Sequence, residues 1–497
     1  MSENILIVGF KRSGVAVAEL MRRLGKNVYV YDRAGIAEPP EYAEEDRSGK
    51  KDFGAVLDGI NTAVISPSVG LDSGIVSECK KRGVEVIGEI EAAFRAFQGN
   101  ITAVTGTNGK TTTVMLIEDI YKRAGKKCAA LGNIGKPFSE FFKSDTDEAV
   151  LEVSSFQLES VKKFRPHIAV FLNFAPDHLD RHKNAGEYFA AKMKIFENQT
   201  ADDYAVINYD DGTLRGFFCG ENNSGKKVEE HCAEPVNLPC FCAEKTDVKR
   251  SEKHGVEPAN LPYISTEKTD KKRSEKCGVI RSKSLYFSAE KRVRGAYAED
   301  GEIFFDDGEK REKICRVSDL KISGRHNLEN ALAAVCAAKL NGVENEYIIA
   351  AFQNFKLAHN RIEFVREIGS TRFFNDSKGT NIHATAAAVR SMTGSTALIL
   401  GGSDKGEDFA DLFSALPDNI SAVFVTGQNA TAILSAAEKF PHIRTERIDS
   451  LKEGVDAAYA KRPENVLFSP ASASFDRYRN YEERGQVFVG LVNELTE

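Results

Sequence analysis

The sequence predicts an α/β protein of three domains. Three observations carry that reading. The chain has 497 residues, too many for one ordinary core. Strand-like β-branched runs alternate with apolar helical patterns, which implies parallel sheets with right-handed crossovers. The alternation restarts near residue 98 and again near 323. The expected domains are therefore 1–98, 99–323 and 324–497, with an insertion in the second at about 210–280.

The elements follow in order. NILIVG (4–9) reads as a buried strand running into a Gly-containing turn and the helical pattern GVAVAELMRRLG. NVYVYD is the second strand and ends at Asp32. TAVIS (62–66) and VEVIG (84–88) complete the first domain. The second domain begins with ITAVTG and continues through AVLEVSS (149–155), HIAVFLN (167–173) and YAVIN (204–208). In the third, NALAAVCAAKLNG reads as a helix, and TALILGG (396–402), SAVFVTG (421–427) and NVLFSPA (465–471) read as strands.

Between 209 and 320 the regular alternation fails. EPVNLPCFCAEKTDVKRSEKHGV (234–256) is followed at once by EPANLPYISTEKTDKKRSEKCGV (257–279), with 16 of 23 positions identical, so this segment is a tandem duplication. His231, Cys232, Cys240, Cys242, His254 and Cys277 suggest metal ligands, but Cys240 and Cys242 become Tyr263 and Ser265 in the second copy. A solvated insertion is the reading preferred over a metal site.

Composition narrows the class. Hydrophobic residues at 42% and charged residues at 28% describe a soluble globular chain. A formal net charge of −6 argues against a general binder of nucleic acid or anionic membranes. The N-terminal apolar run stops at Lys11 and Arg12, too short for a signal peptide, and no stretch reaches the roughly 18 apolar residues of a membrane span. Nine cysteines without a regular framework point to reduced thiols, and the expected location is cytoplasmic.

The segment ITAVTGTNGKTTTVML (101–116) carries the chemistry. A strand meets a Gly-punctuated turn and then a helix start, where backbone N–H groups converge on anionic oxygens. Gly106 and Gly109 let the backbone approach phosphates, with Thr107 and Asn108 between them and Thr112 behind. Lys110 supplies a charge to β- and γ-phosphates, and the Thr111 hydroxyl is placed for Mg²⁺. Val104 stands where the strict nucleotide-loop pattern wants Gly. The competing reading is a Gly-rich turn that binds nothing.

TGTNGKTTT resembles the loop of the muramyl (Mur) ligases and folylpolyglutamate synthases. GNIGKPF (132–138), LEVSSFQLE (151–159), NFAPDHLDRH (173–182), YFAAKMKIFENQ (188–199) and GRHNLENALAA (324–334) resemble further Mur ligase motifs in family order. NDSKGTN (375–381), GGSDKGEDF (401–409) and LFSPASASFDRYRNYEERG (467–485) resemble the D-glutamate-adding members. The resemblance spans the chain except about 210–320. It implies a Rossmann-like N-terminal domain, a central P-loop ATPase-type domain and a Rossmann-like C-terminal domain. The implied reaction phosphorylates the carboxylate of UDP-N-acetylmuramoyl-L-alanine with ATP. The amino group of D-glutamate then attacks the acyl phosphate, making a peptidoglycan precursor.

Site roles carry over residue by residue. Thr111, Glu152 and His178 resemble ligands of two Mg²⁺ ions. Lys192 resembles the lysine that CO₂ carbamylates into a further metal ligand. Asn327 resembles the adenine contact, Arg361 a phosphate contact and Asp376 the ribose contact. Lys378 resembles the residue that stabilises the acyl phosphate. Thr380, Lys405, Ser474, Phe475 and Tyr481 match the D-glutamate positions. Arg12, Ser13, Asp32, Arg33, Asn133 and His178 match contacts to the UDP-substrate. Two departures stand out: Lys11 replaces the middle glycine of the first turn, and Asn360 precedes Arg361 where the family usually has His. Read without the motifs, Glu152 is a strand-end residue, His178 a structural histidine, Lys192 a helix lysine and Asp32 a turn residue. The alternatives are a sibling muramyl ligase or folylpolyglutamate synthase, a nucleotide-binding regulator without catalysis, and an NAD-dependent oxidoreductase. The expected enzyme is a monomer that binds no nucleic acid.

Overall fold

The first strand is apolar and buried from Ile5 to Val8, as a strand covered on both faces must be. The computed structural model describes residues 2–50, 52–178, 181–219, 281–322, 324–355, 359–404 and 408–496. Strands β1 (Asn4–Val8), β2 (Asn27–Tyr31), β3 (Glu45–Asp46), β4 (Thr62–Ile65) and β5 (Glu85–Gly88) form an all-parallel sheet in the order β3-β2-β1-β4-β5. The helix Arg12–Arg23 buries Ala16, Val17, Leu20 and Met21. A Cβ on Gly14 would lie 2.1 Å from the Gly9 carbonyl oxygen, so only glycine lets this helix start so close to the strand. Strand order reverses at β1, and the loops leaving β1 and β4 therefore open a crevice at their C-terminal ends.

The second sheet has nine strands: β6 (Asn100–Thr105), β7 (Cys128–Gly132), β8 (Glu148–Glu152), β9 (Ile168–Phe171), β10 (Tyr204–Asn208), β11 (Lys283–Ser288), β12 (Gly295–Glu299), β13 (Glu302–Asp306) and β14 (Arg311–Arg316). Their order is β14-β13-β12-β11-β10-β9-β6-β8-β7. Strands β11 to β14 lie where the sequence shows no helix–strand alternation. The reason is architectural: β12 and β13 pair antiparallel across a tight turn at Asp300 and Gly301, both at positive φ, and need no crossover helix. The tandem repeat, with His231, Cys232, Cys240, Cys242, His254 and Cys277, lies outside the described residues.

The third sheet contains β15 (Glu363–Ile368), β16 (Thr371–Asn375), β17 (Thr396–Leu400), β18 (Ile420–Val425), β19 (Thr445–Arg447) and β20 (Asn465–Phe468). The order is β15-β16-β20-β17-β18-β19. The β15–β16 hairpin is antiparallel and the other pairs are parallel. Packing divides the chain into two compact units, Met1–Cys315 with Leu332–Ile348, and Arg316–Ala331 with Ile349–Glu497. The first two sheets fall in one unit because a single apolar core runs from Ile5 and Val17 through Ile101 and Leu151 to Ile207.

One buried carboxylate fastens these two sheets. Glu91, on the helix Glu89–Ala96 after β5, is fully buried. Its Oε2 accepts the backbone N–H groups of Lys162, Lys163 and Phe164, each at 2.9 Å. Its Oε1 accepts Arg95 Nε at 2.9 Å. Removing the carboxylate strands three backbone donors, of which that of Phe164 is buried. Glu91→Ala should therefore lower stability by about 3 kcal/mol, read as a lower denaturant midpoint. An unchanged midpoint would contradict this role.

Candidate active site

The loop after β6 turns on two glycines. Gly109 has φ of 84° and Gly106 of 151°, both costly for a residue with a Cβ. The chain that follows β9 holds the loop from the side. Thr107 N–H donates to the Asn173 carbonyl at 3.0 Å, Asn108 N–H to Asn173 Oδ1 at 2.8 Å, and Thr107 Oγ1 to the Ala175 carbonyl at 3.0 Å. The helix Lys110–Arg123 starts there, with its N-terminus at the loop and Thr111 and Thr112 buried in its first turn. That end of a helix favours anions.

Two lysines meet at this loop. Lys110 Nζ donates to the carbonyls of Gly106 at 2.8 Å and Thr107 at 2.9 Å. Lys192 Nζ donates to the same Gly106 carbonyl at 2.8 Å and lies 4.5 Å from the centre of the Tyr188 ring. Lys192 is 1% exposed. Burial, and then the neighbouring Lys110 charge, pull the Lys192 amine well below the usual lysine range. Beside them Thr111 Oγ1 donates to Glu152 Oε2 at 2.7 Å, and Asn133 Nδ2 to Glu152 Oε1 at 2.9 Å. Glu152 ends β8, and parallel pairing sets it opposite Val104 of β6, which delivers it to the loop.

His178 sits in a tight turn with φ of 56°. Its N–H donates to Asp177 Oδ1 at 2.8 Å, and its ring meets Phe156 edge-on at 4.9 Å. So Gly106, Thr107, Asn108, Gly109, Lys110, Thr111, Thr112, Glu152 and Lys192 come together around one loop, and Asn133 joins them through Glu152.

At the first sheet, Arg12 and Ser13 open the helix Arg12–Arg23 at the crevice. Asp32 at the end of β2 holds that crevice in shape: its Oδ2 accepts Phe10 N–H at 2.8 Å and its Oδ1 accepts Ala34 N–H at 2.9 Å. The turn reading of Asp32 is therefore observed, and Arg33 beside it is exposed. Lys11 is extended at φ of −100° and caps the helix, which explains why no glycine is needed at that position.

The second unit brings together Asp376, Lys378, Thr380, Ser474 and Tyr481. Arg484, not assigned from sequence, organises them. It is 2% exposed, and its guanidinium donates to Ser377 Oγ at 3.1 Å, the Ser377 carbonyl at 2.8 Å and the Ala473 carbonyl at 3.1 Å. It thus clamps the loop bearing Asp376 and Lys378 to the loop bearing Ser474. Ser377 Oγ in turn donates to the Tyr481 carbonyl at 2.9 Å, and Lys378 Nζ lies 5.2 Å from the Tyr481 ring centre. Phe475 is 75% exposed. Asn327 is buried in the first turn of the helix Arg325–Leu340. Lys405 lies outside the described residues.

Asn360 resolves the second departure. It holds φ of 64°, a conformation that Asn tolerates, and its carbonyl accepts Lys378 N–H at 3.1 Å. Asn375 Nδ2 donates to its Oδ1 at 2.9 Å. Arg361 follows directly. Asp376 Oδ2 accepts Ser469 Oγ at 2.6 Å.

Known proteins resemble this chain over nearly its whole length. Residues 104–230 match the model of the Mur ligase middle domain, and 360–472 that of the Mur ligase glutamate ligase domain. A UDP-N-acetylmuramoylalanine–D-glutamate ligase of Caldanaerobacter subterraneus is 35% identical over 99% of this chain and 98% of its own length. The chain belongs to the Mur ligase family. Solved Mur ligases share the three-domain α/β fold. A UDP-N-acetylmuramate-alanine ligase from Thermotoga maritima matches with a TM-score of 0.55 at 16% identity over 99% of both chains. A MurF ligase from the same organism, in complex with ADP, matches with a TM-score of 0.50 at 16% identity over 88% of this chain and 91% of its own. The loop at 106–112 lies within the matched middle domain, and the family uses ATP. Among the described residues no helix is long and apolar enough to cross a membrane.

Burial pushes the Asp376 carboxyl up from 3.8 to about 7. Such a group keeps its proton in the folded state while the unfolded chain loses it. Its contribution to stability therefore declines as pH rises from about 4 to about 7 and is level above that. Asp376→Asn should flatten this slope, by up to about 4 kcal/mol across the window, in denaturant melts of the full chain at stepped pH. A variant whose pH dependence matches the wild type would refute the assignment.

Proposed function

We propose that this protein joins D-glutamate to UDP-N-acetylmuramoyl-L-alanine with ATP, through an acyl phosphate, in peptidoglycan precursor synthesis. What carries the reading is the cationic loop, with Lys110 and Lys192 on one carbonyl beside Thr111 and Glu152, in a chain that matches D-glutamate ligases end to end. A carboxylate is a poor electrophile, and phosphorylation supplies its leaving group. Two anions must meet in that step, and Lys110 at the loop screens their repulsion. The start of the helix Lys110–Arg123 and Arg361 hold the phosphates. Asn327 and Asp376 hold the nucleoside, and Arg12, Ser13, Asp32, Arg33, Asn133 and His178 hold the UDP-substrate. Lys378 stabilises the acyl phosphate. Thr380, Lys405, Ser474, Phe475 and Tyr481 receive D-glutamate, whose two carboxylates need cations and donors. The three domains join near residues 98 and 323, and the enzyme acts as a cytoplasmic monomer.

Mg²⁺ fits the donor set. It prefers oxygen ligands and keeps several waters, and Thr111 Oγ1 and Glu152 Oε2 are an oxygen pair 2.7 Å apart in a buried setting. Among the described residues there is no cluster of three acidic, His or Cys ligands, which also suits an ion completed by water and phosphate. Thr111 and Glu152 would hold one ion, and His178 with carbamylated Lys192 a second. When bound, Mg²⁺ neutralises phosphate charge as ATP and the carboxylate approach. The lowered Lys192 amine supports its modification: a neutral amine attacks CO₂, forms an N–C bond and releases a proton, leaving a carbamate anion.

Purified protein with UDP-N-acetylmuramoyl-L-alanine, ATP and Mg²⁺ should release ADP when D-glutamate is added and not when L-glutamate is. Absence of ADP release with D-glutamate would overturn the assignment. ¹³C-labelled bicarbonate should give a carbamate NMR signal in the wild type that is missing in Lys192→Arg, with turnover reduced at least about a hundredfold. Equal turnover in both would remove the carbamate from the mechanism.

A further inference from the structure

The crevice at the C-terminal ends of β1 and β4 has one wall formed by residues 66–70. Arg181, to which nothing above assigns a role, reaches that wall. Its Nη1 donates to the Pro67 carbonyl at 2.9 Å, and its Nη2 lies 3.5 Å from the Val69 carbonyl. Glu159 Oε2 accepts Nη2 at 2.7 Å and fixes the guanidinium, whose carbon lies 4.8 Å from the Phe156 ring centre. The main chain of the same residue holds something else. Arg181 N–H donates to the His178 carbonyl at 3.0 Å, and His182 N–H donates to it at 2.9 Å. His182 is itself fixed: it shares a hydrogen bond with Ser155 Oγ at 3.1 Å and stacks on Phe156 at 5.6 Å.

We infer that Arg181 is a positioning residue that couples the crevice for the nucleotide sugar to the turn bearing His178. The assignment rests on the ligase reading for what occupies each site. The physical basis is that one residue serves two sites. Its side chain sets the carbonyls of the 66–70 wall, and its backbone sets the left-handed turn at His178. A ligand that orders the wall therefore favours the arrangement of the turn, and the converse follows by linkage. Arg suits this task because its planar fork addresses two carbonyls and a carboxylate together, which an ammonium cannot do in one geometry.

The test uses the full-length wild type with Arg181→Gln, Arg181→Lys and Glu159→Gln. Calorimetry measures binding of UDP-N-acetylmuramoyl-L-alanine with and without Mg·ADP, and kinetics gives KM for each substrate. In the wild type each ligand should tighten the other, by about tenfold. Arg181→Gln should abolish that mutual tightening and raise KM for the nucleotide sugar, while KM for D-glutamate stays unchanged. Arg181→Lys and Glu159→Gln should retain part of the coupling. Coupling that persists in Arg181→Gln overturns the inference. So does a uniform rise in every KM with a lowered unfolding midpoint, which marks a merely structural role. If Arg181→Gln does not fold, full coupling in both other variants overturns it. A wild type that binds both ligands without turnover would count against the ligase reading, and the calorimetry would still decide the role of Arg181.

Discussion

Two lysine side chains converge on one backbone carbonyl, and the loop is organised around that crowding. Lys110 and Lys192 both donate to the Gly106 oxygen, and Lys192 does so while almost wholly buried. Burial first, and then the neighbouring Lys110 charge, disfavours a second cation there. The arrangement lowers the Lys192 amine and leaves a region that rewards negative charge. Such a region suits an anion, because the N-terminus of the helix Lys110–Arg123 lies at the same loop.

The surrounding fold holds this crowding in place. Parallel pairing of β6 with β8 and β9 sets the loop between Glu152 on one side and Asn173 on the other. Neither neighbour is close in sequence, and both are fixed by strand register rather than by loop chemistry. The second unit solves a related problem with a different device. There a buried guanidinium, Arg484, ties two loops through carbonyl and hydroxyl acceptors. Its burial lowers its own value to about 10, a measure of how little water remains around it.

Much of this was legible in the chain. The runs NILIV, ITAVT and TALIL became β1, β6 and β17 because uninterrupted apolar β-branched segments can be satisfied only in a covered parallel sheet. Gly106, Gly109 and Lys110 were legible because the turn they form is contiguous. The strands at 283–316 were not, since short hairpin strands lack the alternation with helices that betrays a crossover. Arg181, Asn173 and Arg484 were not legible either. Each acts on residues far away in sequence, Arg484 across 107 positions to Ser377 and Arg181 across 114 to Pro67.

By itself the sequence determined which segments must be buried strands, where the backbone must bend through glycine, and which cation follows that bend. Those properties are local, written in side-chain period and in the conformational freedom of single residues. Only the tertiary structure decided that Lys192 shares an acceptor with Lys110, that Asp32 spends its carboxylate on two backbone N–H groups, and that Asn360 supports Lys378. Such pairings depend on strand register and on what water is excluded, and neither quantity exists until distant parts of the chain have packed together.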